Sequence, residues 1–122
     1  MIWEFKDERP IYIQLMEQIQ LKIVSNMYKA GEKIPSVRDL ASEASVNPNT
    51  MQKALTELER KGLVFSQRTS GRFITEDVQM INNMRNDLAK EKIQEFFFSM
   101  GKIGYNKKET IEIVEKIVKE IN

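Results

Sequence analysis

Apolar residues return at helical spacing in four stretches of this chain, and two short runs between them read as strands. After Pro10, the residues Tyr12, Leu15, Met16, Ile19, Ile23 and Met27 form one stripe and predict a first helix, which Ala30-Gly31 breaks. Met51, Ala54, Leu55 and Leu58 give a second stripe. Leu63-Val64-Phe65 and Phe73-Ile74-Thr75 are the two strand-like runs, joined through Gln67-Arg68-Thr69-Ser70-Gly71. From Glu76 the pattern is helical again: Val78, Ile81, Met84 and Leu88, continued by Ile93, Phe96, Phe97 and Met100. Two glycines and an asparagine make Gly101 to Asn106 a predicted turn. Ile111, Val114, Ile117, Val118 and Ile121 then define a last amphipathic helix.

The polar residues between the stripes supply the stops and starts. Ser36 can N-cap a helix with Asp39 three residues on, in a capping-box arrangement. Ala44-Ser45-Val46 makes a tight turn, after which Asn47 caps the next helix and Pro48 takes N1, where its missing N–H costs nothing. Gly62 sits where that helix must stop. Ile34 precedes a proline and is pushed toward an extended conformation. Together these predict a mainly α fold with a small β-hairpin. Residues 1–75 would form a winged helix-turn-helix and residues 76–122 a short helical dimerisation tail.

A helix-turn-helix presents the N-terminal residues of its second helix to base edges in the major groove. Asn49, Thr50, Gln52 and Lys53 are short or hydrogen-bonding side chains at that end, off the apolar stripe. Arg38 stands at the second position of its helix, where the positive end of the helix dipole disfavours a cation, so a phosphate or guanine partner would relieve it. Arg68 and Arg72 flank the hairpin tip, where they would meet phosphates or the minor groove. The plainer alternatives are an Arg38 paired with Asp39 or Glu43, a merely solvated helix face, and hairpin arginines that only keep an edge soluble.

Composition narrows the chemistry. The 122 residues contain no Cys and no His, which removes disulfides, thiol nucleophiles, imidazole bases and the usual structural zinc sites. Carboxylates are spread beside Lys and Arg along amphipathic segments, the pattern of solvated faces. We therefore expect no enzyme, no cofactor and no bound metal. No run of about 18 apolar residues is present, and Met1-Ile2-Trp3-Glu4-Phe5 lacks the features of a signal peptide, so a cytoplasmic protein without a membrane partner is expected. The net charge is only +1. In the candidate binding segment, Lys33, Arg38, Lys53, Arg60, Lys61, Arg68 and Arg72 stand against Asp39, Glu43, Glu57 and Glu59. Double-stranded DNA would then be held by few phosphate contacts per subunit, with the gain coming from pairing two subunits.

The assembled residues resemble the GntR family of bacterial transcription regulators. The family's pattern L-P-S-E-R-x-L-A corresponds to Ile34-Pro35-Ser36-Val37-Arg38-Asp39-Leu40-Ala41. Its V-S/N-x-x-T-V corresponds to Val46-Asn47-Pro48-Asn49-Thr50-Met51, and its A-L-x-x-L-x-x-x-G-L to the run from Ala54 to Leu63. Pro10-Ile11-Tyr12 and the V-N-P-N-T string are similar to the short YtrA-type subfamily. The resemblance implies DNA contacts from Ser36 and Arg38, from Asn47, Asn49, Thr50 and Gln52, and from a wing tip of Arg68, Thr69, Ser70 and Gly71. Two departures stand out. Pro48 replaces a base-reading arginine found in many members outside this subfamily. Thr69 replaces the first glycine of the usual wing G-x-G, and would be strained if the tip needs a positive φ there.

The resemblance further implies a homodimeric repressor on a near-palindromic operator, near transport operons, commonly of ABC transporters. The tail is too short for the effector domains of larger relatives, and any small-molecule effector is unspecified. Phe96-Phe97-Phe98 reads as core and interface packing. Two rivals remain: a winged-helix module for protein–protein contact, and a regulator gated by a small ligand at the dimer interface near Phe96 to Phe98. Salt separates the first from DNA binding, which weakens steeply through counterion release.

Overall fold

The computed structural model of the chain describes residues 3–6 and 8–121; Met1 and Ile2, read above for a leader, lie outside the described residues. The elements in chain order are α1 (Ile11–Val24), α2 (Val37–Ala44), α3 (Pro48–Arg60), β1 (Val64–Gln67), β2 (Gly71–Ile74), α4 (Val78–Ile103) and α5 (Lys107–Ile121). They fall into two compact units, Met1–Arg85 and Asn86–Asn122, with α4 continuous across the division. Among the described residues, no helix is long and apolar enough to cross a membrane.

The core of the first unit follows from the stripes. Leu15, Ile19 and Ile23 of α1, Leu40 of α2, and Met51, Leu55 and Leu58 of α3 are all fully buried. Leu63, Val64 and Ile74 close the same core from the hairpin. Local chemistry sets the boundaries. Ser36 Oγ accepts the Asp39 N–H at 3.1 Å, and Asn47 Oδ1 accepts the Asn49 N–H at 2.7 Å. Ser45 takes a left-handed conformation (φ 56°) between the two helices, and Gly62 (φ 83°) ends α3. Asp77 caps α4 by accepting the Met80 N–H at 3.0 Å.

Several boundaries differ from the sequence expectation. The first helix ends at Val24 rather than at Ala30-Gly31, because Asn26 turns left-handed (φ 68°) and the Tyr28 N–H bonds back to the Lys22 carbonyl at 2.9 Å. Met27 consequently lies outside the stripe and is exposed. The strands reach further toward the tip than Phe65 and Phe73, pairing Gln67 with Gly71 and leaving only three residues in the turn. The positive φ of that turn falls on Gly71 (105°) and not on Thr69, so Thr69 carries no such strain. Residues 31–34 also run along the free edge of β2, through Ile34 N–H to Arg72 O (3.0 Å) and Ile74 N–H to Glu32 O (2.8 Å). Val78 is exposed rather than part of its stripe, and α4 passes straight through Gly101 to Ile103.

Side chains sew the N-terminal segment onto α1. Gln18 exchanges two bonds with the main chain of Glu4, while Gln14 accepts from Lys6 N–H and donates to the Lys6 and Arg9 carbonyls. The Lys22 ammonium, buried among these pieces, lies 3.7 Å over the Trp3 ring and 5.4 Å from the Tyr28 ring. Its burial pushes its pKa down, opposed by the charge of Glu43.

The second unit is a helical hairpin. Gly104 (φ 108°) ends α4, and Asn106 with Glu109 forms a complete capping box for α5: each side chain bonds the other's N–H, at 2.8 and 3.0 Å. Thr110 and the half-buried Ile113 lie on the sheltered side of α5, while Ile111, Val114, Ile117, Val118 and Ile121 are exposed. Phe96 and Phe98, expected in core and interface packing, are likewise exposed in the single chain, at 43% and 67%.

A salt bridge ties the wing to α3. Glu59 Oε1 accepts from Arg72 Nε and from Ser66 Oγ, both at 2.5 Å. Partial burial would raise the Glu59 pKa, but the bonds from Ser66 and Arg72 outweigh it and hold the carboxyl below its ordinary value. A depressed folded pKa stabilises above the unfolded value and loses that contribution as pH falls through the folded one. The stability gap between the natural chain and Glu59→Gln should therefore narrow on acidification below the ordinary carboxylate range, as read by melting temperature against pH. In the core, Leu55→Ala should cost about 2–5 kcal/mol in urea unfolding, the range for truncating a fully buried leucine.

Candidate nucleic-acid interface

Burying Met51, Ala54, Leu55 and Leu58 forces the opposite side of α3 outward. Asn49, Gln52, Lys53 and Thr56 share that side at i, i+3, i+4 and i+7, and all four are exposed. Gln52 Nε2 reaches Thr56 Oγ1 at 3.4 Å, a contact long enough to be exchanged readily. Thr50 lies on the flank, half-buried. Asn47 is exposed, its oxygen committed to the cap and its amide N–H groups without a partner among the described residues. Ser36 is exposed too, with its oxygen accepting the cap bond.

The positive charges divide into free and committed. Arg38 is exposed and makes no hydrogen bond or ion pair among the described residues, so the pairing with Asp39 or Glu43 weighed above does not form. Arg68 is exposed at the wing turn beside Thr69, Ser70 and Gly71, also without such a partner among the described residues. Arg72 is committed: its Nε is bound to Glu59 and its side chain is only 18% exposed. Arg60 is paired with Glu57 one turn back on the same helix. Two anionic groups near the surface are thereby neutralised, and the unpaired cations set the local field.

Two side chains complete the surface: Tyr12, which the sequence placed only in the apolar stripe, and Lys33, counted among the segment's charges without a position. The Lys53 ammonium sits 3.9 Å over the ring of Tyr12, which α1 supplies. Tyr12 fits the apolar stripe, but its half-exposed ring also orients a cation on the outer face of α3. Lys33 lies along the wing turn: a Cβ added at Gly71 would come within 3.1 Å of Lys33 Cε. Its edge-strand position, invisible in local propensity, brings a charge to the wing. The first unit holds 12 Lys and Arg against 11 Asp and Glu, so placement rather than excess charge gives this surface its character.

Residues 11–74, just over half of the chain, match the family described as "Bacterial regulatory proteins, gntR family". The HTH-type transcriptional regulator YhcF of Bacillus subtilis is 36% identical over 89% of this chain and 90% of its own length. The HTH-type transcriptional repressor YtrA of the same organism is 30% identical over 96% of this chain and 88% of its own. Among solved structures, a GntR family transcriptional regulator from Listeria monocytogenes aligns with a TM-score of 0.84 at 41% identity, covering 92% of this chain and 98% of that one. The DNA-binding domain of AraR in complex with operator ORX1 aligns with a TM-score of 0.56 at 27% identity, over 62% of this chain and 99% of that one. With this match and these relatives, and with an outward polar helix face on the scaffold they share, the chain belongs to the gntR family of DNA-binding bacterial transcription regulators.

Proposed function

We propose that this regulator is a homodimeric, cytoplasmic repressor that reads a near-palindromic operator. The observation that carries the reading is the exposed stripe Asn49, Gln52, Lys53 and Thr56 on the recognition helix, together with the exposed Arg38 and Arg68, which have no partner among the described residues. In this reading Arg38, Asn49 and Gln52 read bases. Lys53 and Arg68 hold phosphates, with Ser36, Asn47, Thr50, Thr69, Ser70 and Gly71 lining the contact. Arg72 positions the wing through Glu59 and offers only its terminal nitrogens to DNA. The likeness to the AraR–operator complex supports double-stranded DNA as the partner, and the likeness to YtrA supports repression. The subfamily resemblance extends this to a transporter operon.

The tail, residues 76–122, supplies the dimer seam in this reading. Exposed Ile111, Val114, Ile117, Val118 and Ile121 would leave a continuous apolar strip in water on a single chain, which a second copy would cover. Two linked half-site contacts gain about 10²–10⁴ in affinity from effective concentration alone, which compensates for a surface with few free cations.

Arg38→Ala should keep the melting temperature, because the side chain is exposed, and should weaken operator binding by about 1–3 kcal/mol at fixed salt. Unchanged affinity would remove Arg38 from the interface. Asn49→Ala and Gln52→Ala should narrow the gap between operator and random DNA. Lys53→Ala and Arg68→Ala should weaken both alike and flatten the salt slope by about one unit per lost phosphate contact. For the seam, Val114→Glu with Ile117→Glu alters two side chains already exposed in the single chain, so helix content should persist. Sedimentation should then give monomer and footprinting should lose paired protection, since burying unpaired carboxylates is costly. A natural chain that sediments as monomer at micromolar concentration yet protects both half-sites would overturn the dimer.

A further inference from the structure

The second unit contains a groove of about 700 Å³ between the C-terminal half of α4 and the start of α5. That volume lies within the range of small-molecule sites, about 300–1,000 Å³. Its walls are Ile93, Phe97 and Phe98 of α4 and Tyr105 of the connecting turn. Its charged lining is Lys90 and Lys107, with no carboxylate, although residues 86–122 hold seven Lys and Arg against seven Asp and Glu. Neither lysine has an ion-pair partner among the described residues, whereas Lys92 pairs with Glu95 along the outer surface.

A glycine opens this space. Gly101 lines the groove from inside α4, where glycine is disfavoured relative to alanine. Its conformation is ordinary helix, and a Cβ added there would meet nothing within 4 Å. The residue is therefore required neither by a left-handed turn nor by a close approach within the chain.

We propose that this groove binds a small amphipathic acid: an apolar body seated on Ile93, Phe97, Phe98 and Tyr105, with its anionic group at one of the two lysines, Lys90 or Lys107, which stand toward opposite ends of the groove. The apolar walls take the body out of water, and an ammonium group with no opposing carboxylate selects the charge. The site goes beyond the reading of this chain as a DNA-binding repressor, and its test requires no DNA.

The test uses the full chain and two fluorescent probes of similar ring structure, anionic 8-anilinonaphthalene-1-sulfonate and neutral N-phenyl-1-naphthylamine. The sulfonate should bind saturably and about three- to fivefold more tightly than the neutral probe, the size expected from one partly exposed charge contact. Lys90→Gln with Lys107→Gln should erase that preference while leaving neutral-probe binding in place. Gly101→Leu should fill the groove and abolish binding of both probes, with circular dichroism and melting temperature confirming the fold. Decanoate and 2-naphthoate compete as linear and ring-shaped acids; displacement by either identifies the body the groove takes. Equal affinity for the two probes, full binding by Gly101→Leu, or failure of both acids to compete would overturn the proposal. Probe affinity that falls as protein concentration rises would also overturn it, by giving the groove to a second copy of the chain.

Discussion

The dry seam between α1 and α3 governs the rest of the first unit. Leu15, Ile19 and Ile23 on one side and Met51, Leu55 and Leu58 on the other are fully buried, so α3 has essentially one permitted rotation about its axis. Turning it by a single residue, about 100°, would carry Gln52 toward the seam and expose core side chains. The outward stripe is thus a consequence of packing on the inner side. The same seam brings Tyr12 of α1 under Lys53 of α3, so a core contact also aims a surface charge.

What could be read from the sequence was what is decided within a few residues. Ser36, Asn47 and Gly62 act on their own helix ends, and their positions were legible because capping is local. The end of α1 was not, since Met27 continues the apolar spacing beyond the point where Asn26 turns the chain. Gly101 was misleading for the opposite reason: a helix tolerates one glycine, and the stop comes at Gly104, followed by the Asn106–Glu109 box that the sequence does contain. Pairings between distant segments left no local trace. The Lys33 segment alongside β2, Arg72 with Glu59, and Tyr12 with Lys53 belong to this group, and each affects the candidate interface. Arg68 and Arg72 looked equivalent in the sequence; only three-dimensional pairing shows one held by Glu59 and the other without a partner among the described residues.

Near-neutral composition and DNA binding are compatible because ion pairing is selective. Glu57 and Glu59 are offset by Arg60 and Arg72, leaving Arg38 and Arg68 unpaired among the described residues. The field felt by a phosphate is set within about one Debye length, about 8–10 Å at physiological salt, so distant carboxylates on the same chain matter little. The second unit is charge-balanced in sequence but not in space: its groove collects lysines, and its carboxylates lie elsewhere.

Trp3 is the chain's only tryptophan, and its ring lies directly under the buried Lys22 ammonium. The indole emission of the protein, read at excitation wavelengths where tyrosine absorbs little, therefore originates at the stitch between the N-terminal segment and α1. An indole facing a fixed cation emits in a different local field from one released into water, so fraying of that segment changes colour and intensity together. Events confined to α3 or the wing involve no indole of their own. The chain thus carries a spectroscopic label on one seam, and its light separates local opening of the N-terminal segment from loss of the core.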